Sequence, residues 1–287
     1  GCGDVALQHA DAARSAPSVT LVACFDPVRR LAEDLGSTYG AEVAPSAEAL
    51  LARNDVDAVI LAVPHHLHGP LAEQVAAAGK HVIVEKPLAD DLEAGLRMVR
   101  AAEQAGVVLS VCFPQRYMPQ IQRAQELVAD GALGELTGTV LTFLCDKPAS
   151  YWVGGYRARS FSDWRAWKKT AGGGILANNM SHHLDLTRFV SGGEIEEVVG
   201  ATALLESPGD VEDTVTAGVR YTTGGLGSIY GCSVVRGIAE STTLQVFGRD
   251  GHLVLDAARP QVYTLRAVPG ARTTRWQEIG SEPALGP

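Results

Sequence analysis

The chain has 287 residues, with 24 Lys and Arg against 33 Asp and Glu, a formal charge of −9 and 46% hydrophobic content. This is a globular composition with enough apolar material for a large core, and its acidic balance excludes a protein built mainly to grip nucleic acid or an anionic membrane. No apolar run reaches the length of a bilayer span. Five scattered cysteines (Cys2, Cys24, Cys112, Cys145, Cys232) make neither a disulfide framework nor a CxxC pair, so a reducing, cytoplasmic setting is expected.

The opening, Gly1-Cys2-Gly3-Asp4-Val5-Ala6, is a turn that normally follows an apolar strand. The natural N-terminus and a first strand are therefore expected upstream of Gly1. Residues 19–25 are expected as a buried strand, followed by a helix carrying Leu31, Ala32 and Leu35. Residues 40–43 form a short strand, and Ser46 caps the next helix. Strands at 57–63, 81–84 and 107–113 alternate with helices at 67–78 and 92–105, the last closed by Gly106. Strands apolar throughout and flanked by helices predict a parallel sheet covered on both faces, the α/β doubly wound Rossmann arrangement, over residues 1–113.

Residues 114–287 have a different texture. A helix at 119–129 leads to a strand at 135–145, a Trp-, Tyr- and Arg-containing loop at 146–174, and one helix at 175–190. Alternating strands follow at 195–205, 214–221, 225–235, 242–247 and 252–255, with hairpin turns at Gly224-Gly225 and Asp250-Gly251. The expected second domain is α+β, a large, open, mostly antiparallel sheet with helices on one face. Its other face would bind a second copy of the chain, giving a homodimer or homotetramer.

Three segments carry chemistry. Gly1-x-Gly3-x-x-Ala6 permits close backbone approach to a pyrophosphate at a helix N-terminus. Asp26, ending the next strand, is placed to accept both hydroxyls of an adenosine ribose and to repel a 2′-phosphate, which favours NAD over NADP; the alternative is an ordinary helix cap before Pro27. Glu85-Lys86-Pro87 follows the strand at 81–84, at the end of a doubly wound sheet where ligands bind, and its lysine suits stabilisation of a developing alkoxide. In Gly172-Gly173-Gly174-Ile175-Leu176-Ala177-Asn178-Asn179-Met180-Ser181-His182-His183-Leu184-Asp185, a continuous helix would put Asn178, His182 and Asp185 on one face. His182 then suits proton abstraction from a hydroxyl, and His183, turned aside, is a packing residue. His65, His66 and His68 lack the partner spacing of a zinc site, so no metal is expected. Trp152, Tyr156, Arg157, Trp164 and Trp167 could stack on sugar rings or pack on the sheet.

In this order and spacing the three segments resemble the Gfo/Idh/MocA family of sugar and cyclitol oxidoreductases. The resemblance spans the chain, strongest in Glu85-Lys86-Pro87 and the Gly-Gly-Gly to His-x-x-Asp segment. It implies that Lys86 contacts nicotinamide and substrate and that His182 is the acid/base. Asn178 stands where members often carry Asp, a form similar to members acting on nucleotide sugars. It further implies that Gly1, Gly3, Asp4, Val5, Ala6, Asp26, Pro64, His68, Glu85, Lys86, Gln115, Arg116, Trp164 and Arg165 hold NAD, and that a further helix follows Pro287. The expected activity is hydride transfer between NAD(P) and a secondary hydroxyl of a small sugar-like substrate, with Lys86, His182, Asn178 and Asp185 at the reacting group. The alternatives are a glycosidase or epimerase that oxidises its sugar transiently, and a non-catalytic dinucleotide or sugar sensor.

Overall fold

The computed structural model describes residues 1–155, 159, 162–256, 260–265 and 276–279. They divide into two units. One comprises Gly1–Cys112, Pro148–Asn178 and Pro208–Val211, and the other Phe113–Lys147, Asn179–Ser207 and Glu212–Pro287.

The first unit runs α1 (Asp4–Ser15), β1 (Ala23–Cys24), α2 (Arg29–Tyr39), β2 (Glu42–Val43), α3 (Ala47–Leu51), β3 (Ala58–Leu61), α4 (His68–Ala77), β4 (His81–Val84), α5 (Leu92–Ala105) and β5 (Leu109–Val111). β1 pairs with β2, and β3, β4 and β5 pair in that order, all in parallel. Ser46 and Asp91 accept the amides of Ala49 and Ala94, which starts α3 and α5 where the sequence places them. Gly40 and Gly106 end α2 and α5 in the left-handed conformation, at φ 75° and 65°. Ala6, Cys24, Leu31, Ala32 and Leu35 form one core cluster, and Leu61, Val75, Val82, Val84 and Met98 another. The expected strand at 19–25 shrinks to Ala23–Cys24, because only that stretch finds a partner in the two-residue β2; Val19 is 51% exposed.

The chain then makes α6 (Pro119–Ala129) and β6 (Leu136–Leu144), returns to the first unit for α7 (Ala149–Gly154), α8 (Lys168–Ala171) and α9 (Ile175–Asn178), and enters the second through α10 (Ser181–Ser191). The stretch expected as a plain loop at 146–174 thus contains two short helices; Tyr156 and Arg157 lie outside the described residues. β7 (Ile195–Ala203), β8 (Thr214–Tyr221), β9 (Leu226–Cys232), β10 (Ser241–Gly248), β11 (Gly251–Asp256), β12 (Gln261–Thr264) and β13 (Trp276–Glu278) complete the structure. With β6 they form one eight-stranded sheet ordered β13-β12-β11-β10-β6-β9-β8-β7, in which only β6 and β9 pair in parallel. α10 packs on β6, β10 and α6, over Leu141, Phe143, Leu244 and Val246, which are all buried. β12 and β13 were not expected from sequence.

β7 stops short of Leu205 for a local reason. The fully buried Asp213 carboxylate accepts the amides of Leu205, Glu206 and Ser207 at 2.7–3.1 Å, which folds those residues into a turn. Burial pushes its pKa up, but these bonds outweigh burial and hold it below the usual carboxylate value.

Gly138 of β6 faces its parallel partner so closely that an added Cβ would stand 2.1 Å from the Leu226 carbonyl oxygen, whereas at Gly218 of β8 nothing lies nearer than 3.9 Å. Gly138→Ala is expected to cost about 1–3 kcal/mol as an overpacking change, and Gly218→Ala to be near neutral. Denaturant titration of both proteins checks this; equal midpoints would disprove it.

Candidate active site

The glycine turn is pinned from two sides. The Gly1 nitrogen donates to the Phe25 carbonyl at 2.9 Å, and a Cβ on Gly1 would stand 2.3 Å from the Ala62 carbonyl oxygen beyond β3. Asp26 does two jobs here. Its Oδ2 accepts the Cys2 amide and its Oδ1 the Val28 amide, both at 2.8 Å, so it starts the turn into α2 and also holds the glycine turn. Gly3 caps α1 with no side-chain bond, and a Cβ there would meet nothing within 4 Å. The N-terminus of α1, at Asp4, Val5 and Ala6, therefore receives no side-chain cap from Gly3 and follows directly on the turn that Asp26 holds.

Glu85-Lys86-Pro87 leaves the end of β4 with a cis Lys86–Pro87 peptide. The Lys86 ammonium donates to the Asn178 carbonyl at 2.7 Å. The buried Asn178 side chain donates to the Gly173 carbonyl at 2.8 Å. Gly172, at φ 76°, approaches this region so tightly that a Cβ would stand 2.4 Å from the Asp90 carbonyl oxygen. Glu85 takes the His9 ring nitrogen on Oε1 at 2.8 Å and the Lys86 amide on Oε2 at 3.2 Å. Burial raises the Glu85 pKa, but the His9 hydrogen bond and the charges of His9 and Lys86 outweigh it and hold the group ionised. His9 was missed from sequence. The signal was its place three residues after Ala6, beside the buried stripe of Ala6, Ala10 and Ala13 on α1.

The three adjacent histidines are braces. His65 Nδ1 donates to the Ala171 carbonyl at 2.8 Å, His66 Nδ1 lies 3.1 Å from the Thr170 carbonyl oxygen, and the ring of His65 meets Trp164 edge-on at 4.5 Å. His68, fully buried just beyond Pro64, has its two ring nitrogens 2.9 and 3.1 Å from the Pro87 and Val63 carbonyl oxygens. The sequence placed His68 against the cofactor; the structure turns both its nitrogens to backbone carbonyl oxygens, to one of which a neutral ring donates. Arg165 lies over the rings of Trp164 and Tyr151, and its Nη1 is buried with no hydrogen-bond partner among the described residues. A Cβ on Gly155 would meet both the Asp4 carboxylate, at 2.8 Å, and that Nη1, at 3.5 Å, so the acid opening α1 and Arg165 share one locale.

In the second unit His182 and Asp185 both lie on α10. His182 meets the Phe113 ring edge-on at 5.9 Å. Asp185 accepts both arms of Arg116, from Nε at 2.7 Å and from Nη2. The guanidinium also lies over the rings of Phe113 and Phe189, so Arg116, expected on the cofactor, here orients Asp185. Neighbouring Gln115 has a buried Oε1 with no hydrogen-bond partner among the described residues. His183 packs on Phe143 with ring centroids 4.7 Å apart, as expected. The continuous helix expected over 175–190 is a correction: α9 ends at Asn178 and α10 begins at Ser181. A continuous helix would offer the Asn178 carbonyl to the amide four residues on; here the Lys86 ammonium takes it. Asn178 thus falls in the first unit and His182 in the second, and the shared helical face does not extend to Asn178.

Residues 1–113 match the model of the oxidoreductase family with an NAD-binding Rossmann fold, and residues 121–254 the GFO/IDH/MocA C-terminal domain. The chain belongs to the Gfo/Idh/MocA family. It is 30% identical over 227 residues to levoglucosan dehydrogenase of Pseudarthrobacter phenanthrenivorans, a match covering 71% of this chain but only 56% of that protein. It is 28% identical to inositol 2-dehydrogenase of Rhizobium meliloti, covering 91% of this chain and 75% of the relative. Among solved structures, WlbA dehydrogenase from Bordetella pertussis in complex with NADH and UDP-GlcNAcA superposes with a TM-score of 0.85 at 27% identity, over 99% of this chain and 77% of that one. The first unit of this Gfo/Idh/MocA chain fits a dinucleotide: an open Gly3 that puts no side-chain cap on α1, a carboxylate with acceptor capacity at Asp26 and, on Arg165, a buried donor with no hydrogen-bond partner among the described residues.

His65 gives a pH prediction. Burial, aided by the charges of His68, Lys86 and Arg165, pulls its pKa from 6.5 down to about 3, although the Ala171 carbonyl opposes the shift. The unfolded chain therefore binds a proton at higher pH than the folded one, and the stability His65 contributes is complete above pH 6.5 and is lost as pH falls from 6.5 toward 3. His65→Asn, which keeps a donor near Nδ1, is expected to flatten the decline in melting temperature over that window. An unchanged slope would assign the acid sensitivity to other groups.

Proposed function

We propose that this protein is an NAD-dependent oxidoreductase acting on a secondary hydroxyl of a sugar, cyclitol or nucleotide sugar. The supporting observation is the Lys86 ammonium, fixed at the end of β4 by a backbone carbonyl 2.7 Å away. The carbonyl positions the ammonium, the type of group that stabilises a developing oxyanion. Residues 1–113 would hold the dinucleotide through Gly1, Gly3, the start of α1 and Asp26, joined by Arg165 from the 148–178 stretch of the same unit. Residues 114–287 would supply substrate contacts and subunit contacts. Bound nicotinamide supplies the two-electron acceptor site for hydride.

In this proposal Lys86 polarises the substrate hydroxyl and His182 removes its proton. Arg116 holds Asp185, which keeps α10 in register for His182, and Asn178 positions Lys86 through its carbonyl. Asp26 favours NAD, because a 2′-phosphate would stand beside its carboxylate. Acceptance of nucleotide sugars is supported by the ligand in the WlbA complex and by the residue type at position 178, an amide that cannot relay a proton; its side chain is buried on the Gly173 carbonyl, so its part is played through its backbone. A cytoplasmic setting is part of this proposal, supported by the five cysteines, all of them free thiols. A homo-oligomer is supported by one register line across the sheet. Trp276, Tyr263, His252 and Phe247 lie on it in neighbouring strands, and Leu226, 59% exposed, continues it beyond β6.

The test is an activity screen over sugars and nucleotide sugars together with thermal shift in NAD and in NADP. Lys86→Ala and His182→Ala are expected to lower turnover by on the order of 10² to 10⁴, with the NAD-induced rise in melting temperature retained. Full activity in either variant would remove that residue from the assignment. Asp26→Ser is expected to narrow the preference for NAD. A stable sugar product without net NADH would instead favour transient oxidation.

A further inference from the structure

His9, Glu85 and Cys112 come from three separate elements, the middle of α1, the end of β4 and the end of β5, and their donor atoms all lie within 4.8 Å of one another. The His9 and Glu85 side chains are 16% and 13% exposed, so the cluster is enclosed yet reachable. The thiol is held protonated by burial and by the neighbouring carboxylate, which push its pKa to about 12. One imidazole, one carboxylate and one thiol make a donor set typical of zinc and unlike the all-oxygen sets of magnesium or calcium. With bonds of about 2.0–2.3 Å, tetrahedral coordination places donors about 3.3–3.7 Å apart. The 2.8 Å His9–Glu85 contact would therefore open by roughly half an ångström.

We propose that His9, Glu85 and Cys112 form a site for a thiophilic divalent cation, zinc foremost, and that its occupation lowers turnover by disturbing the turn that carries Lys86. On binding, Cys112 releases its proton to solvent and ligates through sulfur. His9 ligates through Nε2 with its proton on Nδ1, Glu85 ligates through an oxygen, and water completes the set. The coupling follows from Glu85, whose other oxygen holds the Lys86 amide at 3.2 Å; the ion shifts that carboxylate as its contact with His9 opens and, after Cys112 has lost its proton, adds one net positive charge beside the lysine. Binding stands without the catalytic role of Lys86, while the effect on turnover rests on that role.

The experiment titrates full-length protein with cobalt(II), followed by its near-ultraviolet thiolate charge-transfer absorption, and with zinc by calorimetry, for the wild type, Cys112→Ala and His9→Gln. The expected result is one equivalent bound by the wild type, at least tenfold weaker binding by each variant, and no cobalt–thiolate band in Cys112→Ala. Magnesium should not compete. Equal binding by wild type and Cys112→Ala, or a band that persists in that variant, would overturn the site. In parallel, zinc should reduce wild-type turnover in step with occupancy, and each variant, read against its own metal-free rate, should need at least tenfold more. Full occupancy with unchanged turnover would overturn the coupling to Lys86 while leaving the site established by its band. A chain with no oxidoreductase activity would still report the site through cobalt, so the two failures are distinguishable.

Discussion

The bond between the Lys86 ammonium and the Asn178 carbonyl sets more of this molecule than its single 2.7 Å distance suggests. A half-buried ammonium needs an acceptor, and a helical carbonyl is normally committed to the amide four residues ahead. Here the ammonium takes that carbonyl at the residue where the helix ends. α9 stops at Asn178 and the chain starts afresh at Ser181. The contact has requirements upstream. The glycine run must bring α9 close to the Lys86 turn, and Gly172 does so with a left-handed φ and an approach to Asp90 that no side chain would permit. Gly173 then supplies the carbonyl that holds the Asn178 amide. Three consecutive glycines are thus a packing solution as much as a flexible joint.

Much of this molecule was legible in the sequence. Local signals named the elements: β4 and α5 have the expected bounds, Ser46 caps α3 and Gly106 closes α5, whereas Gly40, expected to open a strand, ends α2 instead. The failures share a cause. The break at Asn179 depends on a lysine 92 residues away in sequence, the loss of strand character at Val19 on the brevity of β2, and the early end of β7 on Asp213. No window of ten or fifteen residues contains such partners. At the candidate site the sequence could nominate Lys86 and His182 as chemical types. It could not show that Arg116 would be committed to Asp185, because that pairing spans 69 residues.

Histidine shows the same limit. His65, His66 and His68 form the densest cluster in the sequence, and the structure binds all three to backbone carbonyls. For His65 and His68 burial lowers the pKa against the pull of those carbonyls, which makes them neutral braces suited to holding loops. His9 stands alone in an Ala-rich helix and drew no notice, yet it is the one that meets the carboxylate of the Lys86 turn. Sequence density of a residue type measures little here. What decides its chemistry is whether its partner is a carbonyl, which leaves charge unchanged, or a carboxylate, which couples it to an ion.

The same accounting separates two aspartates that sequence alone could not rank. Asp213 is fully buried and its carboxylate accepts three backbone amides and the Thr214 hydroxyl. Its acceptor capacity is consumed in ending β7, and it has none to offer a ligand. Asp26 also accepts backbone amides, which is why a capping role and a binding role looked like alternatives. It takes one amide on each oxygen and is half-buried, so each oxygen keeps a lone pair that a hydroxyl can use. The two roles are therefore compatible and even linked. The amides of Cys2 and Val28 fix the carboxylate plane, and a fixed plane with one spare acceptor per oxygen is what recognition of two neighbouring hydroxyls requires. Asp26 is not the cap of α2, whose N-cap is Val28; the turn it holds ahead of that helix is how the chain pre-organises the group that the proposed cofactor would meet.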